Sequence, residues 1–340
     1  MARLHVVSVP HTQLTDAYSW CAFTSLTKGF ATMMHDLGND VTIYSAGVCD
    51  AKGEHVAIDS GYEWTERVPP YEASHPGWKA FALKTIWEIG TRWQPGDFLC
   101  LAGGQVQQEI ADFFPAMTCV EFIAGYQGVI ERDNAFRVFP SYAWMHAVYG
   151  HLYGATKADG RFYDAVIPHF VDEQALGDGG DYLLYVGRLT ERKGLEIVAG
   201  VAERTGLPLV VAGFGDESLI PNGAEFVGSV EPKQRTELMQ GARCVLMPTL
   251  YLEPFGLVAV EAQMCGTPAV TTDFGAFTET VDARFRCSTL AEFCDAATLD
   301  VDRAALRESA IERFSPSVIG PKYQAYFEKL AGLWGKGWYS

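Results

Sequence analysis

Three cations and two carboxylates stand out by position. The segment GRLTERKG (187–194) follows the apolar run DYLLYV and sets Arg188, Arg192 and Lys193, with Gly187, just past a strand's carboxyl end. Loops at that end face the ligand in an open α/β sheet, so the cluster is placed to meet an anion. Further on, PTLYLEPFGLVAVEAQMCGTP (248–268) ends a strand at Pro248, carries Glu253 in a loop and begins a helix near Gly256. The free N–H groups around Phe255, Gly256 and Leu257 then form a helix N-terminus, which favours phosphate oxygens. Glu261 lies about a turn and a half into that helix, and its side chain tilts back toward the N-terminus. The two carboxylates flank one anion site and can accept hydrogen bonds from hydroxyls, Glu253 from a hexose and Glu261 from a ribose. The plain alternatives are a solvated helix start for the cations and two surface glutamates for the pair. The second does not account for Glu261, which lies among Leu257, Val258, Val260 and Met264. A buried charge needs a partner.

The elements that must position these groups alternate along the chain. LHVVSVP (4–10), DVTIYS (40–45), DFLCLAGG (97–104), TCVEF and DAVIP (164–168) read as strands. Helical patterns at 21–38, 77–93 and YAWMHAVYG separate them. Residues 46–76, rich in Gly, Pro and charge, read as a long excursion over the sheet edge. After the linker-like DEQALGDGGD (172–181) the alternation restarts with DYLLYVG, PLVVAG, EFVGSV, CVLMPT and PAVTT as strands. Strand–helix alternation of this kind predicts parallel sheets. We expect a first α/β domain over 1–172 and a second over 173–314. A helical tail over 315–340 would return to the first domain, and a ligand cleft would lie between the strands' carboxyl ends.

Composition narrows the class. Of 340 residues, 48% are hydrophobic and 20% charged, which suits a chain with full cores. No uncharged apolar run nears the roughly 18 residues needed to cross a bilayer, and the start, MARLHVVSVP, is too short for a signal peptide's core. These predict a soluble, cytoplasmic protein with no transmembrane segment. Lys+Arg total 26 and Asp+Glu 42, a net charge of −16 split as −8 for 1–172 and −8 for 173–340. Neither half carries the positive field that drives nucleic-acid binding. The eight cysteines form no C-x-x-C pair and most sit in apolar runs, so they read as reduced core thiols.

GRLTERKG, VVAGFGD (210–216), EFVGSV (225–230), PTLYLEPFG with Glu261, and GTPAVTTDFG resemble, in order and spacing, GT-B retaining glycosyltransferases of the GT4 type. VIPHFVD (166–172) resembles that family's domain junction. The resemblance implies a GT-B fold of two facing Rossmann-like domains and a nucleotide-diphosphate sugar, UDP- or GDP-linked, as donor. It implies a hydroxyl-bearing acceptor, with no metal and no cofactor required. By this likeness Arg188 and Lys193 neutralise the donor diphosphate, the backbone of Phe255, Gly256 and Leu257 completes the cradle, and Glu253 holds the transferred sugar. Glu261 holds the ribose, and Phe226 and Val227 line the base.

The first domain departs from the commoner pattern. VPHTQLTDAYSW (9–20) stands where many relatives have a Gly pair, so His11, Thr12 and Gln13 become acceptor-side candidates. TCVEFIAGYQG offers no histidine where relatives carry one, which makes Glu121, Tyr126 and His146 candidates too. The PHTQ start, FPSYAWMHAVYG and LYLEPFG resemble a subgroup encoded by bacteriophages and environmental viruses, for which the location would be the host cytoplasm. The acceptor is then a protein or small molecule; hydroxymethylated phage DNA is the choice that the net charge disfavours. Asp300-Val301-Asp302 spells a D-x-D and reads as helix capping. Three rivals remain: an NAD-linked oxidoreductase, weakened by Ser218 where a third glycine belongs, a sugar-nucleotide epimerase, and a non-catalytic sugar-nucleotide sensor.

Overall fold

The computed structural model describes residues 1–66, 69–154 and 161–334. The chain divides into two compact units. The first comprises Met1–Pro140, Ala147–Ile167 and the chain from Gly320; the second comprises Ser141–His146 and Pro168–Ile319.

Among the described residues the first unit holds an eight-stranded sheet. Its strands are β1 (Arg3–Val7), β2 (Gln13–Leu14), β3 (Asp40–Cys49), β4 (Glu54–Ala57), β5 (Phe98–Leu101), β6 (Thr118–Glu121), β7 (Ala135–Phe139) and β8 (Ala165–Val166). The order is β2-β3-β1-β5-β6-β7-β8 with β4 also paired to β3, and every pairing is parallel. Sheets buried on both faces need continuous apolar runs, and β5, FLCL, is buried throughout. The helix Ala22–Asp36 buries Leu26, Phe30 and Met34, with Phe30 stacked on Phe122 at 4.2 Å. The helix Pro316–Trp334 brings Tyr323 and Phe327 into this unit, where Phe327 meets Phe98 edge-on. Three strands of this unit differ from expectation. β2 lies inside 9–20, past the end of the expected first strand. β4 lies inside 46–76, and β7 is a strand that Arg137 masks, because its guanidinium is buried beside Asp164 rather than solvated.

The second unit's sheet has six strands among the described residues: β9 (Leu183–Val186), β10 (Leu209–Ala212), β11 (Glu225–Gly228), β12 (Cys244–Met247), β13 (Ala269–Thr272) and β14 (Arg286–Cys287). Their order is β11-β10-β9-β12-β13-β14, again all parallel. In order of appearance this is 3-2-1-4-5-6, the doubly wound arrangement whose order reverses between its first and fourth strands. The reversal falls between β9 and β12. Leu184, Val211, Val245 and Leu246 centre its core. The first sheet reverses likewise between β1 and β5. All eight cysteines are free thiols and six are buried. Asp302 caps the helix Arg303–Phe314 by accepting from Ala305 N–H at 3.0 Å, so the D-x-D serves a helix end.

Candidate active site

The reversal in the second sheet fixes where its loops converge. Directly after β9 come Gly187 and Arg188, and directly after β12 come Pro248 and Thr249. Leu250 N–H donates to Arg192 O at 2.9 Å, tying the two loops together. Gly194 closes the approach. Its φ is +72°, and a Cβ there would lie 2.2 Å from Pro248 O, so only glycine fits.

Across this junction Lys193 Nζ meets Glu253 Oε2 at 3.0 Å, with both side chains largely buried. Burial works against the lysine's charge, but Glu253 and Tyr251 outweigh it and hold its pKa above the ordinary value. Tyr251 is pushed up by burial and by Glu253, against the pull of Lys193. Its ring also lies beneath the Arg192 guanidinium at 4.7 Å, a cation–π contact. Arg188 is exposed and makes no ion pair among the described residues. Tyr185 Oη donates to its carbonyl at 2.7 Å and sets the loop. The expected cations therefore divide. Lys193 is committed to Glu253, while Arg188 stands open to an anion.

The helix Leu257–Met264 starts at Gly256, whose φ is +84° and whose added Cβ would meet the Phe277 ring at 2.6 Å. Glu253 O accepts from Ala276 N–H at 3.0 Å, and Phe255 O from Thr280 Oγ1 at 3.2 Å. Those carbonyls are thus held while the N–H groups of Gly256 and Leu257 find no protein acceptor among the described residues. Phe255 offers only its backbone, since its side chain is buried between His169 and Phe314. Glu261 has its partner: Arg235 Nη2 lies 3.0 Å from Oε1. Oε2 is buried with no hydrogen-bond partner. Burial raises the carboxyl's pKa and Arg235 opposes it. Arg235 escaped the sequence reading because PKQRTELMQGA looks like an ordinary solvated helix, and only the fold brings it to a residue 26 positions away. Phe226 and Val227 lie on the edge strand β11, half-buried against the core.

Another sequence-marked segment docks here. Ser141 Oγ donates to Pro254 O at 2.8 Å, and Glu279 accepts from Tyr142 and Ala143 N–H at 2.9 and 2.8 Å. FPSYAWM therefore braces the loop that carries Glu253. His146 belongs to this segment and to the second unit; it is exposed, with Tyr142's ring as a neighbour.

The other candidates lie in the first unit. His11 and Gln13 line a pocket past the end of β1. Thr12 lines it too, although its hydroxyl is 2.5 Å from that of Thr24. Burial pushes His11 down to about 4, so it is neutral at pH 7. Tyr126 joins this region through rings, edge-on to Phe23, which contacts Tyr71, which contacts His11. Glu121 is bonded within its own unit. It is fully buried and holds the following loop through Gly125 and Ile130 N–H at 3.3 and 2.9 Å, its pKa pushed up to about 7 by burial. No group of three or more His, Cys, Asp or Glu suits a metal ion among the described residues.

The profile of the family described as "Glycosyl transferases group 1" matches residues 167–302. This stretch, less than half of the chain, is similar to that family. It contains the Lys193–Glu253 and Arg235–Glu261 pairs and Arg188. The chain is 36% identical over 118 residues to the uncharacterized glycosyltransferase MJ1607 of Methanocaldococcus jannaschii, covering 31% of this chain and 30% of that protein. It is 34% identical over 114 residues to glycogen synthase of Mycobacterium tuberculosis, covering 29% and 27%. The chain spans between about a quarter and a half of the length of the curated relatives it matches. Similarity of fold reaches much further. The structure of Anabaena Alr3699/HepE in complex with UDP and glucose superposes with a TM-score of 0.65 at 15% identity, covering 96% of this chain and 100% of that one. Two Rossmann-like domains of the GT-B class are the fold expected from sequence and the fold observed. Among the described residues no helix is long and apolar enough to cross a membrane.

Proposed function

We propose that the protein is a GT4-type retaining glycosyltransferase that moves a sugar from a nucleotide-diphosphate sugar to a hydroxyl acceptor, without a metal. One observation carries this reading. At the reversal point of a doubly wound sheet, an open arginine, a Lys–Glu pair, a helix N-terminus and a carboxylate with one unpaired buried oxygen occur together. The second unit is the donor side and the first the acceptor side. UDP bound in the HepE relative makes a UDP-sugar the first donor to try, with a GDP-sugar second.

The chemistry follows from the parts. The bond between the sugar's C1 and the diphosphate oxygen breaks as the bond from C1 to the acceptor oxygen forms. The acceptor's proton passes to the departing diphosphate. Negative charge grows on that leaving group, where Arg188, Lys193 and the N–H groups of Gly256 and Leu257 stabilise it. Phosphate oxygens compete with Glu253 for Lys193 and so free Glu253 to accept from the sugar's hydroxyls. The Oε2 of Glu261 takes a ribose hydroxyl, while Arg235 keeps the carboxylate charged and oriented. Retention requires attack on the face the diphosphate leaves.

A thermal-shift panel of UDP, GDP, ADP, CMP and dTDP, with and without EDTA, tests the donor site. A ligand at ~100 times its dissociation constant stabilises the fold by about 2.7 kcal/mol, which raises the melting point by a few degrees. We expect one diphosphate to do so equally in EDTA. No shift with any nucleotide would remove the physical basis of this reading.

A further inference from the structure

We propose that the aromatic pocket past the end of β1 binds a saccharide, the acceptor of the transfer; the acceptor role rests on the glycosyltransferase reading, the binding does not. The pocket has a volume of about 410 Å³, within the range of small-molecule sites. His11, Gln13, Tyr18, Trp20, Trp64 and Glu66 line it.

Two of its lining side chains carry polar atoms that are buried and have no hydrogen-bond partner: Nδ1 of His11 and Nε1 of Trp64. Such atoms are uncommon, because a buried donor or acceptor without a partner loses its bond to water and gains nothing in return. Neither arises from a loose side chain. His11 is only 7% exposed and is held through Nε2, which lies 3.3 Å from Tyr71 Oη and 3.7 Å from Cys21 Sγ. Trp64 stacks on His75 at 5.0 Å and 16°, with Tyr62 edge-on at 4.9 Å. Gly77 leaves room for it: a Cβ there would lie 2.5 Å from the indole. The tryptophan is seated with its N–H unspent.

A ligand that fits must offer an apolar face to indole and phenol rings and several hydroxyls to Nδ1, Nε1–H, Gln13 and Glu66. A pyranose does both, since its C–H face stacks on an aromatic ring while its hydroxyls radiate from the rim. Other chemistries fit less well. A nucleobase would stack but supply few hydroxyls, and a serine side chain would satisfy one orphan atom and cover little of the walls. A phosphate would want cations, and no Lys or Arg lines the pocket among the described residues.

The test uses the full-length protein in saturation-transfer NMR with methyl α-D-glucopyranoside, methyl α-D-mannopyranoside and N-acetylglucosamine. Adenosine and a serine-containing tetrapeptide serve as rival probes. At least one sugar should bind. Trp64→Phe, which keeps a ring and loses the N–H, should weaken it about three- to tenfold, and Glu66→Gln at the rim should weaken it less. Trp87→Phe, on an exposed tryptophan of the helix Pro76–Gly90, should change nothing. With donor present, the bound sugar should be glycosylated, and Trp64→Phe should raise its KM while leaving the donor's KM alone. No sugar binding, binding indifferent to both Trp64→Phe and Glu66→Gln, or preference for adenosine or peptide would overturn the proposal. The two readings fail separately: sugar binding that persists in a protein taking no nucleotide sinks the donor site and spares the pocket, and the reverse spares the donor site alone.

Discussion

The two sheets share a plan and differ in what stands at its focus. Both are parallel, and both reverse strand order beside their first strand, between β1 and β5 and between β9 and β12. In the second unit that point is furnished with charge: Lys193 with Glu253, Arg235 with Glu261, and Arg188 left open. In the first it is furnished with rings around a neutral histidine. Topology supplies the location, and the side chains that the loops deliver decide the chemistry. One edge is built of ion pairs and an open cation; the other is built of aromatic rings and a neutral imidazole.

The largest effect should come from removing the open cation. Arg188→Ala deletes a charge-stabilising group that no protein partner holds, and comparable losses reduce kcat by about 10²–10³. Because the side chain is exposed and unpaired, the melting point without ligand should stay within about a degree. Nucleotide-dependent shifts should disappear while sugar binding to the first unit is retained. If both kinds of binding fell together, the division of labour between the two edges would be wrong.

How much of this was legible follows from chain distance. The groups that the sequence proposes for the donor, Phe226 and Val227 aside, lie in two short stretches, 187–194 and 253–261, which the fold joins through Lys193 and Glu253. Arg235 lies on a different helix, and only folding assigns it to Glu261. On the first unit the order of legibility reverses. His11, Thr12 and Gln13 stand at a strand end in the sequence, but Trp64, Thr65 and Glu66, which line the same pocket, lie inside 46–76, which reads as irregular. Gly53, Asp59, Gly61 and the prolines there hid a four-residue strand, Glu54–Ala57. The aromatic density of Tyr62, Trp64, Tyr71 and Trp78 was the available signal. Strand β7 went unread for a related reason, because a run centred on Arg137 suggests solvent when its charge is in fact paired inside.

A second contrast, one of pH, lies within the first unit. Glu121 holds its proton up to about pH 7 in the fold but only to an ordinary 4.5 when unfolded. Its contribution to stability is therefore full below about 4.5 and is lost as pH rises through 7. The sum over that window is about 3 kcal/mol. His11 runs the other way, contributing above its ordinary 6.5 and losing that contribution as pH falls toward about 4. Denaturant unfolding of wild type and Glu121→Gln between pH 4.5 and 8 isolates the carboxyl. The wild type should lose ground to the variant steadily from 4.5 to 7 and hold level beyond it. A difference that does not vary with pH would show that Glu121 is charged throughout.

The smallest effect tests whether the unpaired oxygen of Glu261 is there for a ligand. If it is, a donor lacking the ribose hydroxyl should bind the wild type about tenfold more weakly, near 1.4 kcal/mol for one charged hydrogen bond. Glu261→Gln keeps an acceptor and the size of the side chain but surrenders the charge that Arg235 faces, so donor KM should rise by a similar factor with kcat little changed. The informative step combines the two. In the variant, the deoxy donor and the normal donor should differ much less than in the wild type, because the charged acceptor that told them apart is gone. Two penalties that simply add would mean the hydroxyl and the carboxylate never meet. Arg235 and Glu261 would then be a buried pair that serves the fold alone, and the contrast between a charged edge built for a ligand and an aromatic one would rest on Arg188 and Lys193.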